Sequence, residues 1–382
     1  SSVELIRNRG FLGGGMSVDA NKARPGRPDI NVVLEDVAFI ENNAYFGAGL
    51  ALRGFQHSTN PAPPETQIHA DLRDVLFVRN VQDKTYGGYG NGSGMLAYGT
   101  GDIHFDVTLT NGQFINNQCE RGSSYAECAP YKEKSESGAS HASRLRNVLF
   151  NGNTAKRGIG TALELNDGRP TELHNLVIVN HDYVMSLIHG DRPITMTNSI
   201  VWGNAGDSKW CYDDQGSEFK LSYTNWEGGG PNCLTPEDND LTRMLDVDPQ
   251  FVDPDGPDGT PGTEDDDLRI QAGSPVLDAG DNTSVPTDVT TDLDGQDRFA
   301  EAYSAEDTGH GTPPIVDLGP YERHETPIPV ITELNPPGIT IGESVTLTVS
   351  GSNFTADSAV HWDGEPLATT FVSDSVLEAW ID

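Results

Sequence analysis

Short alternations of apolar and polar residues recur along the first part of the chain, opened by an acid or an amide and, in all copies but one, closed by an amide. The clearest copies run Asp36 to Asn42, Asp74 to Asn80, Asn111 to Asn117 and Asn147 to Asn153, and two weaker ones run Asn175 to His181 and Asn198 to Asn204. Aligned on their apolar centres at 39, 77, 114, 150, 178 and 201, the position three before is always Asp or Asn. The position three after is Asn42, Asn80, Asn117, Asn153 and Asn204, with His181 in the one exception. An alternation of period two predicts a short strand, and the flanking amides mark where the chain turns.

One short strand cannot bury its own apolar face, so six periodic copies predict a solenoid in which each copy is completed by its neighbours. Asn tolerates the left-handed backbone of a sharp corner, and stacked amides can hydrogen-bond from rung to rung. The five Asn after the centres are therefore expected to form a ladder. The centres lie 38, 37, 36, 28 and then 23 residues apart. A bare three-strand coil takes roughly 20–25 residues, so the early coils are expected to carry loops at Ser58–Thr66, Gln82–Ser93 and Cys119–Ser140. Propeller blades would hold a constant period of about 40–45 residues, and the shrinking spacing argues against them.

Glycine runs follow several centres and lead into a second strand, as in Asn42-Asn43-Ala44-Tyr45-Phe46-Gly47-Ala48-Gly49 and in Asn151-Gly152-Asn153-Thr154-Ala155 through Gly160. Over roughly residues 1–230 these phrases resemble bacterial right-handed parallel β-helix repeat proteins. Further on, Gly273 to Asp281, Thr291 to Gly295 and Ile315 to Glu322 resemble the C-terminal region of the same surface proteins, which precedes anchoring or modular tails. The resemblance implies an all-β chain with a pectate-lyase-like solenoid at 1–232 and an acidic cap at 233–325.

A proline-spaced linker, Glu325-Thr326-Pro327-Ile328-Pro329, then opens a last segment at 326–382. Its alternation at Val345–Val349, its Gly351-Ser352-Asn353-Phe354 turn and its Trp362-Asp363-Gly364 hairpin resemble the IPT/TIG immunoglobulin-like module. The usual seven-strand sandwich is longer. The segment is thus expected to be a partial module whose open edge suits self-association by strand addition. The first residues already look like mid-domain sequence, and the natural protein is expected to extend in both directions.

Charge changes this picture at one place. The chain carries 24 Lys and Arg against 58 Asp and Glu, a formal net charge of −34, which disfavours nucleic acid and anionic lipid. Between 253 and 267 stand seven acids and no base. Hard divalent cations take carboxylate and carbonyl oxygens from such turn-rich loops, so Ca²⁺ is the expected cofactor, with Asp253, Asp255, Asp258, Asp265 and Asp267 as ligands. A solvated acidic loop is the alternative. Cys119 with Cys128 and Cys211 with Cys233 are expected to form two local disulfides in an oxidising compartment. No apolar run reaches the roughly 18 residues of a membrane span.

Parallel β-helices also host polysaccharide lyases and hydrolases, so fold leaves chemistry open. The outward position two after each centre reads Glu41, Arg79, Asn116, Gly152, Asn180 and Gly203 and offers no pair of acids on adjacent rungs. Gly309-His310-Gly311 is expected to be a turn filler, and His181 a stacked corner imidazole. The chain is therefore expected to be a non-catalytic extracellular or cell-surface protein that presents loops to a glycan or protein partner. A carbohydrate-active enzyme working in a groove on the helix and a subunit of an extracellular filament are the alternatives.

Overall fold

The computed structural model describes residues 2–22, 29–56, 66–83, 92–119, 129–136, 138–155, 161–166, 168–181, 183–188, 193–204, 211–213, 219–230, 243–340 and 342–382. The chain forms two compact units, Ser1–His324 and Glu325–Asp382. Among the described residues no helix is long and apolar enough to cross a membrane.

The first unit is a parallel β-helix. Its main sheet holds nine strands in sequence order: Val3–Ile6, Ile30–Ile40, Thr66–Val78, Ile103–Ile115, Ser140–Asn151, Gly168–Val179, Ile194–Trp202, Phe219–Trp226 and Met244–Leu245. A second sheet stacks the short strands Arg9–Leu12, Asn43–Phe46, Val81–Gln82, Gln118–Cys119 and Thr154–Ala155. A third stacks Met16–Lys22, Leu50–Gln56, Met95–Thr100, Tyr131–Glu136, Thr161–Asn166, Tyr183–Ile188 and Cys211–Asp213. The first five coils visit the sheets in this order, the later ones have described strands in the first and third sheets only, and every pairing is parallel to the coil before and after. The predicted loop tips at 58–65, 84–91 and 120–128 lie outside the described residues.

The apolar centres fall into one column. Leu5 pairs with Phe39, Phe39 with Phe77, Phe77 with Phe114, Phe114 with Phe150, Phe150 with Ile178, Ile178 with Val201 and Val201 with Trp226. The four phenylalanine rings stack at 4.9, 4.6 and 4.9 Å, within 8° of parallel. The glycine runs are explained by the same column: a Cβ on Gly49 would meet the Phe77 ring at 2.7 Å, and one on Gly94 the Phe114 ring at 2.7 Å. Only a residue without a side chain lets the third sheet close over the rings.

Two corners flank each centre. At the first, Asp36, Asp74, Asn111, Asn147, Asn175 and Asn198 take φ between 50° and 58°. Their amides link consecutive coils, Asn111 to Asp74 at 2.9 Å, Asn147 to Asn111 at 3.0 Å and Asn175 to Asn147 at 2.9 Å. At the second corner the expected arrangement needs correction, because two tasks assigned to one residue are divided between neighbours. Glu41, Arg79, Asn116, Gly152, Asn180 and Gly203 take the positive φ, and the following residue turns its side chain inward. Asn42, Asn80, Asn117 and Asn153 are thus fully enclosed, Asn204 nearly so. Each of Asn80 and Asn117 accepts at Oδ1 from the backbone and amide N–H of the preceding ladder Asn at 2.9–3.0 Å and donates to a carbonyl of the preceding coil, Phe39 or Phe77, at 2.8 Å. Burial without such partners would cost about 1–3 kcal/mol per group.

His181 occupies the ladder between Asn153 and Asn204, as expected. Asn153 donates to its Nε2 at 3.0 Å, and its own backbone N–H donates to Asn204 Oδ1 at 3.0 Å. Burial pulls the imidazole down to about 4, against hydrogen bonding to Asn204 and Val179, which raises it. A histidine whose folded pKa is depressed is neutral when folded, whereas the unfolded chain takes up its proton near pH 6.5. Stability is therefore lost as pH falls from about 6.5 toward 4, by about 2 kcal/mol at pH 5 from this residue. His181→Asn should reduce the difference between urea midpoints at pH 7 and pH 5. An unchanged difference would show that the ring is protonated in the folded coil.

The segment 233–325 was expected as a cap on the end of the solenoid, but its described part in the first unit, 243–324, lies along the solenoid's side. Among the described residues only Met244–Leu245 adds a rung at the end, beside Thr224 and Asn225. The remainder packs Phe251, Leu268, Ile270, Val276, Leu277, Ala279, Ala302 and Leu318 against the outward side chains Val78, Ile115, Leu149, Val177, Val179 and Ile200. Polar ties run the same way, from Asn151 to Asp266 at 2.8 Å, Asn147 to the Thr291 carbonyl at 2.7 Å and Asn198 to the Asp281 backbone at 2.8 and 3.0 Å. Arg146 reaches Asp288 at 2.5 Å, and Arg79 pairs with Glu264. This half of the main sheet is therefore apolar on both faces because both are covered.

The second unit forms an antiparallel sheet in the order Val330–Asn335, Val345–Ser352, Val376–Ile381 and Thr369–Ser373, with a hairpin of His361–Trp362 and Glu365–Pro366. Leu347, Val349, Phe354, Leu377 and Ile381 make its core. The Gly351-Ser352-Asn353-Phe354 turn places Asn353 at φ 62° and leaves Phe354 buried.

Candidate metal centre and outer groove

The five acids expected to bind Ca²⁺ do not form one cage. Asp253, Asp265 and Asp267 line an open cleft of about 510 Å³ together with Asp294 and Tyr321. A positive charge is already there, since Arg269 holds Asp267 in a bidentate pair at 2.8 Å and lies 3.7 Å from Asp294. That pairing keeps the Asp267 carboxyl below its usual range. Asp265 accepts from the Thr263 hydroxyl at 2.6 Å, which lowers its pKa in turn. Asp258 accepts from the Thr260 N–H at 2.7 Å, and Asp255 lines a different cleft beside Trp202, Asn180 and Gln250. Asp266, absent from the expected set, accepts from Gly262 N at 2.7 Å and from Asn151, tying the acidic loop to the solenoid.

Among the described residues the acidic oxygens that do converge belong to Asp278, Glu301 and Asp307, within 4.8 Å of one another. Asp278 has φ 47° and no exposed surface. Its backbone N–H donates to Asp317 at 2.8 Å, and its carbonyl accepts from Thr308 at 3.0 Å and Gly309 at 2.9 Å, which folds the 301–307 loop over it. Both Asp278 carboxylate oxygens are buried without a hydrogen-bond partner. Burial, then the charges of Asp317, Glu301 and Asp307, push this carboxyl up to about 7. The triad can hold a metal ion. Sequence reading missed it because its acids are spread from 278 to 307 and look unremarkable beside the dense run at 253–267.

Deeper in the flank Arg298 is fully buried with Glu322, Nε to Oε1 at 3.2 Å, and donates to the Asp317 carbonyl at 3.0 Å. Asp317 in turn accepts from the Arg323 N–H at 2.7 Å, and burial pushes its carboxyl up to about 7. His310, the centre of the Gly309-His310-Gly311 turn, is held by Asp281 at 3.0 Å.

A groove lies elsewhere, on the outer face of the first half of the main-sheet strands. It encloses about 380 Å³ and is lined by His69, Asp71, Arg73, Asp106, Arg144 and Asp288 among others. Arg144 pairs with Asp106 at 2.5 Å and lies 3.9 Å from Glu172, and His69 is 3.5 Å from Asp106. These outward positions alternate with the core residues Ile68, Ala70, Leu72, Phe105 and Val107. The position two after each centre, expected to face outward, is a corner instead: Glu41 there bridges Arg7 at 2.5 Å and Arg79 at 3.1 Å.

Of the expected disulfides, Cys119 is buried in the second sheet and Cys211 begins a strand of the third. Cys128 and Cys233 lie outside the described residues.

Residues 329–380 match the IPT/TIG domain family. No curated protein and no solved structure matches the chain.

Proposed function

We propose, starting from the IPT/TIG match over residues 329–380, that this chain is a non-catalytic extracellular surface protein in which a rigid β-helix carries loops toward a glycan or protein partner. An IPT/TIG segment is an adhesive or structural immunoglobulin-like module. The observation that carries the reading is the double bracing of the solenoid, a buried amide ladder inside and a packed flank outside. Such bracing suits a scaffold that must hold loops in place more than a site that must open and close. The acid excess turns away nucleic acid and anionic membranes. Two local disulfides would fit the same oxidising setting.

One observation favours a second reading. Arg144, flanked by Asp106 and Glu172 in an outward groove, offers a cation that could hold the carboxylate of an acidic sugar, as a polysaccharide lyase would need. Incubation with a panel of acidic and neutral polysaccharides separates the two. Unchanged chain lengths together with retention on one immobilised glycan or surface extract support the scaffold. Cleavage that Arg144→Ala abolishes would overturn it in favour of the enzyme.

A further inference from the structure

We propose that Asp278, Glu301 and Asp307 form a Ca²⁺ site that clasps the 301–307 loop onto the flank of the solenoid. The site goes beyond the scaffold reading and stands whether the protein is adhesive or catalytic.

Three independent features meet here. The first is convergence: carboxylate oxygens from two separate stretches of chain come within 4.8 Å of one another. Like charges at that distance repel, and the fold holds them together all the same. The second is the state of Asp278. A buried polar group normally has a hydrogen-bond partner, yet neither of its oxygens makes one of ordinary geometry, the Ala302 N–H pulling on the carboxylate least of all its neighbours, while its backbone N–H and carbonyl are both fully used. The side chain is thus enclosed on the protein side, with the acids Glu301 and Asp307 beside it. The third is access. Asp278 is buried, Glu301 half-buried and Asp307 exposed, a graded path from solvent to the innermost ligand.

Among the described residues the nearby arginines are engaged elsewhere. Arg298 is committed to Glu322 and the Asp317 carbonyl, and Arg323 reaches the Ile270 carbonyl at 3.0 Å. A bound divalent ion would return the electrostatic cost that burial and three neighbouring acids impose on Asp278. The donor chemistry selects the ion. Three carboxylates with no imidazole or thiolate favour a hard cation over zinc. Carboxylates that can bind through one or both oxygens suit the six to eight oxygens and loose geometry of Ca²⁺, whereas Mg²⁺ demands a tighter octahedron and keeps its waters.

The test uses the full chain, stripped with chelator and titrated with Ca²⁺ alone or Mg²⁺ alone by calorimetry, with melting temperature followed in parallel. The expected result is Ca²⁺ binding with a dissociation constant of about 10⁻⁴–10⁻³ M, the range of extracellular modules. Melting temperature should rise with Ca²⁺, and the response to Mg²⁺ should be weaker. Glu301→Gln with Asp307→Asn should weaken binding about tenfold or more, since site charge sets affinity. Because that pair removes repulsion at a half-buried and an exposed position, its melting temperature in chelator should equal or exceed that of the parent, which separates loss of a ligand from loss of fold. Limited proteolysis should cut 301–307 faster in chelator than in Ca²⁺ for the parent, and equally in both for the double variant.

Absence of any Ca²⁺-dependent heat or melting shift in the parent would overturn the site and leave Asp278 as a buried acid kept neutral by its proton. Binding that survives in the double variant but is lost in Asp253→Asn with Asp265→Asn would overturn it too, by moving the ion to the acidic cleft. Neither outcome bears on polysaccharide cleavage or glycan retention, so the failure of this site is distinguishable from failure of the scaffold reading.

Discussion

Replacing Phe114 by alanine will lower the unfolding free energy of the β-helix by about 3–5 kcal/mol. Its ring is fully buried and stacked on both faces, against Phe77 at 4.6 Å and Phe150 at 4.9 Å, with Tyr131 edge-on at 6.2 Å. Removing it opens a cavity that its neighbours cannot fill by moving, because each is pinned by the strand register of its own coil. In a solenoid, stability is a sum over neighbouring repeats, and a mid-column cavity weakens two interfaces together. Urea denaturation followed by far-UV circular dichroism measures the effect, and Phe114→Leu should recover much of it. A loss under about 1 kcal/mol would mean that the column is not the main source of stability.

Arg298→Met is expected to cost a similar amount, about 3–5 kcal/mol, for a different reason. Here no large void forms, but Glu322 is left buried without its counter-ion and the Asp317 carbonyl loses a donor. Burial already pushes the Glu322 carboxyl well above its ordinary value, with Arg298 the main influence holding it down. The double variant Arg298→Met with Glu322→Leu should regain part of the loss, since an apolar pair replaces a buried ion pair, while the Asp317 N–H, which donates to both Glu322 oxygens at 3.1 and 3.2 Å, and the Asp317 carbonyl stay without those partners. If the double variant is no more stable than Arg298→Met, the guanidinium serves packing and not charge.

The two predictions differ in how much of their basis could be read along the chain. Phe114 was legible because period-two alternation and amide borders repeat around it, and a repeated unit with one apolar face has few ways to hide that face. The ladder of Asn42, Asn80, Asn117, Asn153 and Asn204 was legible on the same ground, down to the substitution of His181. What the pattern misplaced was the division of labour at the corner. Left-handed backbone falls on Glu41 and Arg79, residues that sequence preference would not choose, because the amide one place later must face inward. Arg298 gave no signal at all. A lone arginine between Asp297 and Phe299 becomes the centre of a buried network only when Glu322 and Asp317 fold back over it.

The candidate cation site followed the same division. Local density of acid pointed to 253–267, where the structure spends Asp266 on Asn151 and Asp267 on Arg269. Convergence of acid, at Asp278, Glu301 and Asp307, depends on a loop closed by two backbone hydrogen bonds to the Asp278 carbonyl.

By itself the sequence determined the repeating coil, its core column, its buried amides and the IPT/TIG tail, because each is written as a periodic or local pattern whose period matches backbone geometry. Only the tertiary structure decided that 243–324 lies along the side of the solenoid, that the groove charges stand between the core residues of early coils, and that three distant acids share one small space. Those outcomes depend on which surfaces meet, and contact between residues far apart along the chain leaves no period to read.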